Sequence, residues 1–104
     1  MQFDVYKNTD KETSKTYPYF VDIQTNLLDS LNSRAVIPLT PIKSAGKDYP
    51  KNLCPEIKLD NKNFALLTHQ ITSVPIGLLR KKAVSVESNR DEIITAIDFL
   101  VTGI

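Results

Sequence analysis

Residues 17–25 read YPYFVDIQT, and this stretch alternates apolar and polar side chains with a period of two. Every second residue from Tyr17 to Ile23 is aromatic or aliphatic, whereas Asp22 and Gln24 fall on the opposite face. Such alternation is typical of an antiparallel strand that buries one face. The same period occurs upstream in Gln2–Lys7, beyond a polar loop at 8–16.

Further short segments downstream also favour strands and are separated by turn-forming residues. They are Arg34–Leu39, Glu56–Asp60, Phe64–Gln70 and Val74–Leu79. The second and third of these are predicted to form a hairpin, because the linking residues Asp60–Asn63 suit a turn. The sequence therefore predicts five to seven short strands in a mainly β fold.

The period changes at the end of the chain, where a helix is predicted from Arg90 onward. Its apolar stripe, with spacings typical of one helix face, consists of Ile93, Ile97, Leu100 and Ile104. Asn89 is predicted to cap the first turn together with Glu92, and Gly103 to end the helix. We expect this helix to cover the sheet.

Length and charge restrict the class of protein. The chain has 104 residues and a formal net charge of +1, so we expect one domain over residues 1–104. Balanced charge argues against binding to a nucleic-acid backbone as the main activity. No apolar run matches a membrane span or a signal peptide, and the single Cys54 fits a reducing compartment, so a cytoplasmic location is expected.

Catalytic and metal-binding residues are sparse. Cys54 and His69 would form a nucleophilic pair only if the fold joined them to a third, orienting group. We interpret Cys54 instead as a small turn residue and His69 as a hydrogen-bonded strand residue. One Cys and one His are too few for a metal site, and the isolated glycines form no phosphate loop, so no metal or cofactor is expected.

Some apolar residues lie at positions that a single hydrophobic core would not bury. Phe99 lies off the main helical stripe, and the adjacent Leu27 and Leu28 cannot both face one core from a strand. Both features are compatible with burial in a dimer or with a surface that contacts another protein.

Five blocks of the chain, in order, resemble the CcdB toxin family. They are MQFDVY at the start, YFVDIQTNLLD at 19–29, RAVIPL at 34–39, TSVPIGLL at 72–79 and NRDEIITAIDFLVTGI at 89–104. The resemblance implies an SH3-like small barrel of antiparallel strands with a C-terminal α-helix, acting as a homodimer.

The same resemblance implies a type II toxin–antitoxin function. Such a toxin binds the A subunit of DNA gyrase and traps the enzyme on cleaved DNA, which blocks replication. A CcdA-like antitoxin neutralises it through a disordered segment, and the joint complex represses its own operon, with the DNA contacts made by the antitoxin. No catalytic activity and no membrane partner are implied.

The resemblance also implies the gyrase-binding residues. They are Leu27, Leu28, Asp98, Thr102, Gly103 and Ile104. The best-known member has Ile-Ile, Asn and Trp-Gly-Ile at these places, so this chain lacks the tryptophan at Thr102. A large aromatic anchor is thereby lost, and Asp98 adds a charge that a dry interface must pair.

Antitoxin contacts are expected in two polar, exposed loops, because an acidic disordered partner favours flexible basic surface. The candidate residues are Asn8, Asp10, Lys11, Lys47 and Tyr49.

Two alternatives remain open. One is a degenerate homologue that binds antitoxin without toxicity, which Thr102 favours. The other is a MazF/PemK-like endoribonuclease, for which the chain shows neither a basic groove nor an acid–base set.

Overall fold

The computed structural model describes residues 1–45 and 49–103, and antiparallel strands dominate them. The strands are β1 (Asp4–Lys7), β2 (Tyr19–Asp22), β3 (Ser33–Pro41), β4 (Glu56–Leu59), β5 (Lys62–Leu66), β6 (Thr72–Pro75) and β7 (Lys82–Ser85). Two α-helices accompany them, the one-turn α1 (Ile42–Ala45) and the C-terminal α2 (Arg90–Thr102). The mainly β class with a terminal helix is confirmed.

The long strand β3 organises the sheet. One edge of β3 pairs with β2, and the opposite edge pairs with β6 near its start and with β5 near its end. The complete order is β4-β5-β3-β2-β1-β7, with β6 beside β3. Because two partners share one edge of a nine-residue strand, the sheet curls into a half-barrel, which agrees with the predicted small barrel.

The core lies inside this curl and beneath α2. Its fully buried aliphatic side chains are Val5, Val21, Ile37, Leu39, Ile57, Leu66 and Ile93. Val21 and Ile37 are direct partners across β2 and β3, as the alternation in 17–25 predicts. Ile93 belongs to α2, so the helix covers the sheet as expected.

The predicted hairpin of β4 and β5 is confirmed with a tighter turn. Leu59 pairs with Lys62, which leaves Asp60 and Asn61 as a two-residue connection. Both residues have positive φ, 48° and 65° respectively. Asp and Asn tolerate this conformation better than other non-glycine residues, and it matches the twist of the strands.

The prediction for 74–79 is wrong in its second half. β6 ends at Pro75, and Ile76–Leu78 forms a 3-10 turn that closes with a 2.9 Å hydrogen bond from Leu79 N–H to Ile76 O. Ile76 N–H donates to Asn32 O, which turns the chain away from the strand direction.

β7 was not expected from the sequence. All four of its residues are exposed, so the burial that produces alternation is absent. Backbone pairing with β1 holds it in place.

The sequence predicted a residue at each end of α2, a cap at Asn89 and a terminator at Gly103. Gly103 has φ +74° and donates its N–H to Phe99 O at 2.9 Å, which confirms it as the terminator. The predicted cap at Asn89 is wrong in detail. The Asn89 side chain makes no bond to a backbone N–H and instead donates to Glu92 Oε1 at 3.3 Å.

Candidate functional site

The Leu27–Leu28 pair lies in a 3-10 turn, Asn26–Leu28, between β2 and β3. Leu28 N–H donates to Thr25 O at 3.1 Å, and Leu27 N–H donates to Thr25 Oγ1 at 3.4 Å. Leu27 is 92% exposed and Leu28 46% exposed. The turn therefore presents Leu27 almost fully, and Leu28 partly, to water, and among the described residues neither belongs to a core cluster.

A buried ion pair anchors this turn to the sheet. Arg34 of β3 donates to Asp22 Oδ2 from Nε at 3.0 Å and from Nη2 at 2.9 Å, and the Asp22 side chain is 1% exposed. Arg34 also pairs with Asp29 and donates to Gln24 O at 3.1 Å. One guanidinium thus ties both ends of the leucine turn to β2 and β3.

The charge state of this network is settled by its own contacts. Burial lowers the pKa of Arg34, but its hydrogen bonds to Asp29 and Asp22 outweigh burial and raise the pKa above its ordinary value. The terminal ammonium of Met1 lies 3.2 Å from Asp22 Oδ2 and donates to Tyr6 Oη. Burial, followed by the negative charge of Asp4, raises the pKa of Tyr6. The Arg34 guanidinium is therefore protonated at neutral pH, where it pairs with the buried Asp22.

The end of α2 forms the second predicted contact region. Asp98, Thr102 and Gly103 are all exposed. The Thr102 hydroxyl donates to Asp98 O at 2.7 Å, one turn back along the helix. Beside them Leu100 is 38% exposed and Val101 75% exposed. This end therefore exposes two aliphatic side chains beside a carboxylate, and a protein contact here would place the aliphatic groups at its core and Asp98 at its rim.

The two predicted contact regions lie on separate elements. The leucine turn is bonded to β2 and β3, whereas α2 packs against the core and against the turn at Thr68–Gln70. Within residues 1–45 and 49–103, no hydrogen bond or ion pair joins the leucine turn to α2. The last candidate of the set, Ile104, lies outside the described residues.

The expected antitoxin-contact loop at 8–16 is more ordered than its composition suggests. Asn8 was expected to be exposed, but it is buried, and its Nδ2 donates to Thr13 Oγ1 at 2.9 Å and to Tyr17 O at 2.8 Å. Asp10 is exposed and accepts from Glu12 N–H at 3.0 Å. Asn8 therefore stabilises the loop, and of its three candidate residues Asp10 and Lys11 are the exposed ones.

The second expected antitoxin loop is only partly described. Lys47 lies outside the described residues. Tyr49 is 37% exposed, and its ring lies 5.1 Å from the ring of His69. This contact links the loop to the 3-10 turn Thr68–Gln70. His69 was expected to be a strand residue, but it lies in that turn.

The fold brings Cys54 and His69 together, which the sequence did not predict. Cys54 Sγ lies 3.7 Å from His69 Nδ1. Burial raises the pKa of the Cys54 thiol, whereas a nucleophilic cysteine needs a lowered pKa. Among the described residues no group of three potential metal ligands occurs. A cysteine next to a histidine is the residue pair of a nucleophilic site, but the raised pKa of Cys54 is that of a buried structural thiol.

These observations define a class of protein. A curled antiparallel sheet with one terminal helix carries exposed apolar side chains on a braced turn and at the helix end, an arrangement suited to contacts with other macromolecules. The chain belongs to the CcdB protein family, whose model matches residues 2–103. The resemblance seen in the five sequence blocks is thereby confirmed, and the protein is a toxin of the toxin–antitoxin type.

The longest helix of the described residues is α2, with 13 residues. No helix among these residues is long and apolar enough to cross a membrane.

Proposed function

We propose that the protein is a cytoplasmic toxin that binds the A subunit of DNA gyrase as a homodimer and traps gyrase on cleaved DNA. The observation that carries the proposal is the exposure of Leu27 and Leu28 at the place of the family's apolar contact pair. Burying one exposed leucine contributes about 1.5–3 kcal/mol to binding before ordering costs. A rigid turn keeps those costs low.

The helix end contributes differently. Thr102 offers little apolar area where the best-known relative has tryptophan, and its hydroxyl already donates to Asp98 O. The Asp98 carboxylate is exposed, so it contacts gyrase favourably only at a wet rim or opposite a positive charge. The leucine turn therefore supplies more of the affinity here than the helix end does.

A supercoiling assay with purified gyrase tests the proposal. The unmodified protein is expected to inhibit supercoiling at micromolar concentration and to accumulate cleaved DNA after detergent and protease treatment. The double variant Leu27→Ser, Leu28→Ser is expected to lose at least about tenfold in potency, because it removes two exposed apolar contacts.

Leu31→Ser is the matched control, since Leu31 is 46% exposed, as Leu28 is, and lies outside the family pair. It should retain full potency. Absence of inhibition and of trapped DNA with the unmodified protein would refute gyrase poisoning.

A second candidate function is supported by Thr102. Without the aromatic anchor, the chain would be a degenerate homologue that keeps antitoxin binding and has lost toxicity. Expression alone in a gyrase-sensitive bacterium separates the two functions, because harmless accumulation of folded protein supports the degenerate homologue. Thr102→Trp should then restore growth inhibition.

Neutralisation by a CcdA-like antitoxin completes the proposal. Lys11 and Tyr49 are exposed on the loops expected to receive an acidic disordered segment. DNA is bound only through the antitoxin in this scheme. Co-purification with the product of the adjacent reading frame tests it, and Lys11→Glu should weaken that complex while leaving gyrase inhibition intact.

A further inference from the structure

The first three residues of the chain form a hook that returns the α-amino group of Met1 to the sheet. The Met1 ammonium donates to Asp22 Oδ2 and to Tyr6 Oη, each at 3.2 Å. It also lies 3.5 Å from Asp4 Oδ2. The Met1 side chain itself is 76% exposed, so the amino group and not the thioether holds this residue in place.

The two carboxylates that face this ammonium are almost completely buried. The side chain of Asp22 is 1% exposed and that of Asp4 is 8% exposed. Arg34 pairs with Asp22, and Lys82 Nζ lies 3.3 Å from the other carboxylate. Among the described residues, only the Met1 ammonium contacts both. Buried carboxylates are costly unless they are paired, so neutralising this ammonium removes compensation from both at once.

The backbone of the hook is strained at Phe3. Its φ is +66°, in the left-handed region that an aromatic residue rarely adopts. Phe3 is buried in the core, and its N–H donates to Asp22 O at 2.6 Å. Asp4 N–H donates to Met1 O at 3.0 Å, which closes the hook. Strained backbone persists only where its surroundings hold it, and on the N-terminal side of Phe3 the ammonium makes the charged contacts.

The hook is bonded directly to the leucine turn. Gln2 N–H donates to Asn26 Oδ1 at 3.0 Å, and Gln2 Nε2 donates to Ile23 O at 3.1 Å. Asn26 begins the 3-10 turn that carries the leucine pair. Release of the Met1 contacts therefore frees Gln2, and with it two of the bonds that hold this turn and its approach.

A small molecule is a less suitable partner for this cluster of charges. The cavity beside the ammonium has a volume of about 160 Å³, which is below the usual size of a ligand pocket. Among the described residues, no buried side-chain nitrogen or oxygen lacks a hydrogen-bond partner. The charges therefore satisfy one another, and the amino group acts as part of the fold.

We infer that the free α-amino group of Met1 is a structural cation, and that a formyl group retained on this nitrogen opens the hook and loosens the leucine turn. Bacterial translation begins with formylmethionine, whose nitrogen is a neutral amide and offers no charge to the carboxylates. Hydrolysis of that amide breaks the C–N bond, consumes one water, releases formate and leaves the ammonium. Met1 is thus a modification site whose state sets the stability of the leucine turn. The inference does not depend on gyrase binding, so the failure of either proposal leaves the other standing.

Comparison of the formylated and the free-amine chain tests the inference. Expression in a gyrase-resistant bacterium with an inhibitor of peptide deformylase supplies the first, and expression without it supplies the second. Intact mass spectrometry verifies the state of Met1. In urea denaturation, the unfolding equilibrium constant is expected to be about tenfold larger for the formylated chain.

Hydrogen exchange locates the effect within the molecule. The amides of Leu28 and Leu31 close the leucine turn through bonds of 3.1 Å to Thr25 O and Leu28 O respectively. In the formylated chain they should exchange about tenfold faster, whereas the amides of the β4–β5 hairpin should change less.

Two variants separate the charge of the amine from a general effect of the formyl group. An extended chain with Met-Gly-Ser-Gly before Met1 displaces the amine, so formylation should leave its stability unchanged. Asp4→Asn removes one of the two carboxylates, so formylation should have an effect at least about threefold smaller than in the unmodified sequence. All chains are compared in about 1 M trimethylamine N-oxide, which favours the folded state and keeps the weakest of them measurable.

Three results would overturn the inference. The first is equal stability of the formylated and the free-amine chain. The second is an equal effect of formylation in the extended chain. The third is equal acceleration of exchange in the leucine turn and in the β4–β5 hairpin, because the formyl group would then act on the whole fold.

Discussion

Arg34 illustrates how a single residue controls a surface it does not belong to. Among the described residues, Leu27 and Leu28 belong to no core cluster, so their orientation depends on the turn that bears them. That turn depends on the contacts of Arg34 with Asp22, Asp29 and Gln24. Burying a carboxylate until it is 1% exposed costs desolvation energy, which its bonds to Arg34 offset, and the same guanidinium holds both ends of the leucine turn.

Arg34→Met is expected to lower the free energy of unfolding by about 3 kcal/mol, because Asp22 is left buried with less compensation. Urea denaturation measures this change. Arg90→Met is the control, since the Arg90 side chain is 59% exposed and, among the described residues, its one ion pair is with the exposed Asp91, so less than about 0.5 kcal/mol should be lost. Equal effects of the two variants would contradict a bracing role for Arg34.

The raised pKa of Tyr6 predicts how the free energy of unfolding changes at alkaline pH. Its pKa is raised in the folded state by burial and by the nearby carboxylates, chiefly Asp4. The folded protein therefore holds the phenol proton more tightly than the unfolded chain, and this stabilisation is lost as pH rises above about 10. Tyr6→Phe should lose less unfolding free energy than the unmodified protein between about pH 9 and about pH 11.

Tyr17→Phe serves as the comparison for that measurement, because it removes a hydroxyl and leaves Tyr6 in place. If both variants follow the unmodified protein across this pH range, Tyr6 does not carry the dependence.

At the scale of elements, prediction from sequence succeeded where local pattern and packing agree. The spacing of apolar residues predicted α2. The helix ends at Gly103, because glycine adopts φ +74° without strain. β2 followed from alternation in residues 17–25. β7 was missed because all its residues are exposed, and the strand exists only through its pairing with β1.

The β4–β5 turn provides a test at this scale. Asn61→Ala should lower the free energy of unfolding by about 1 kcal/mol, since alanine at φ +65° is strained. Asn61→Gly should be neutral or slightly stabilising. Asn63→Ala, at an exposed position in β5, is the control for loss of the amide, and thermal unfolding compares the three.

At the scale of the whole molecule, exposed apolar residues point to association. Leu100 and Val101, near the end of α2, are aliphatic but remain exposed. The proposed homodimer would cover them, and a small domain gains stability from such burial.

The midpoint of thermal unfolding is therefore expected to rise with protein concentration, and sedimentation should give twice the 11.7 kDa chain mass at micromolar concentration. Val101→Asp should shift the protein toward monomer. Val84→Asp, at an exposed site on β7, should not. A monomer at every concentration would contradict the homodimer.

The sequence by itself determined the strands with one buried face, the terminal helix and its end, because these depend on periodicity and on local backbone preference. It also placed the leucine pair and the helix end outside a simple core. Only the tertiary structure paired Asp22 with Arg34, joined Cys54 to His69 and gathered Lys15, Lys43 and Lys62 around one groove. Asp22 and Arg34 meet because β2 pairs with β3, whereas the other two groups include residues of loops and turns that the folded sheet brings together. Each group joins segments distant in sequence, which local pattern does not encode.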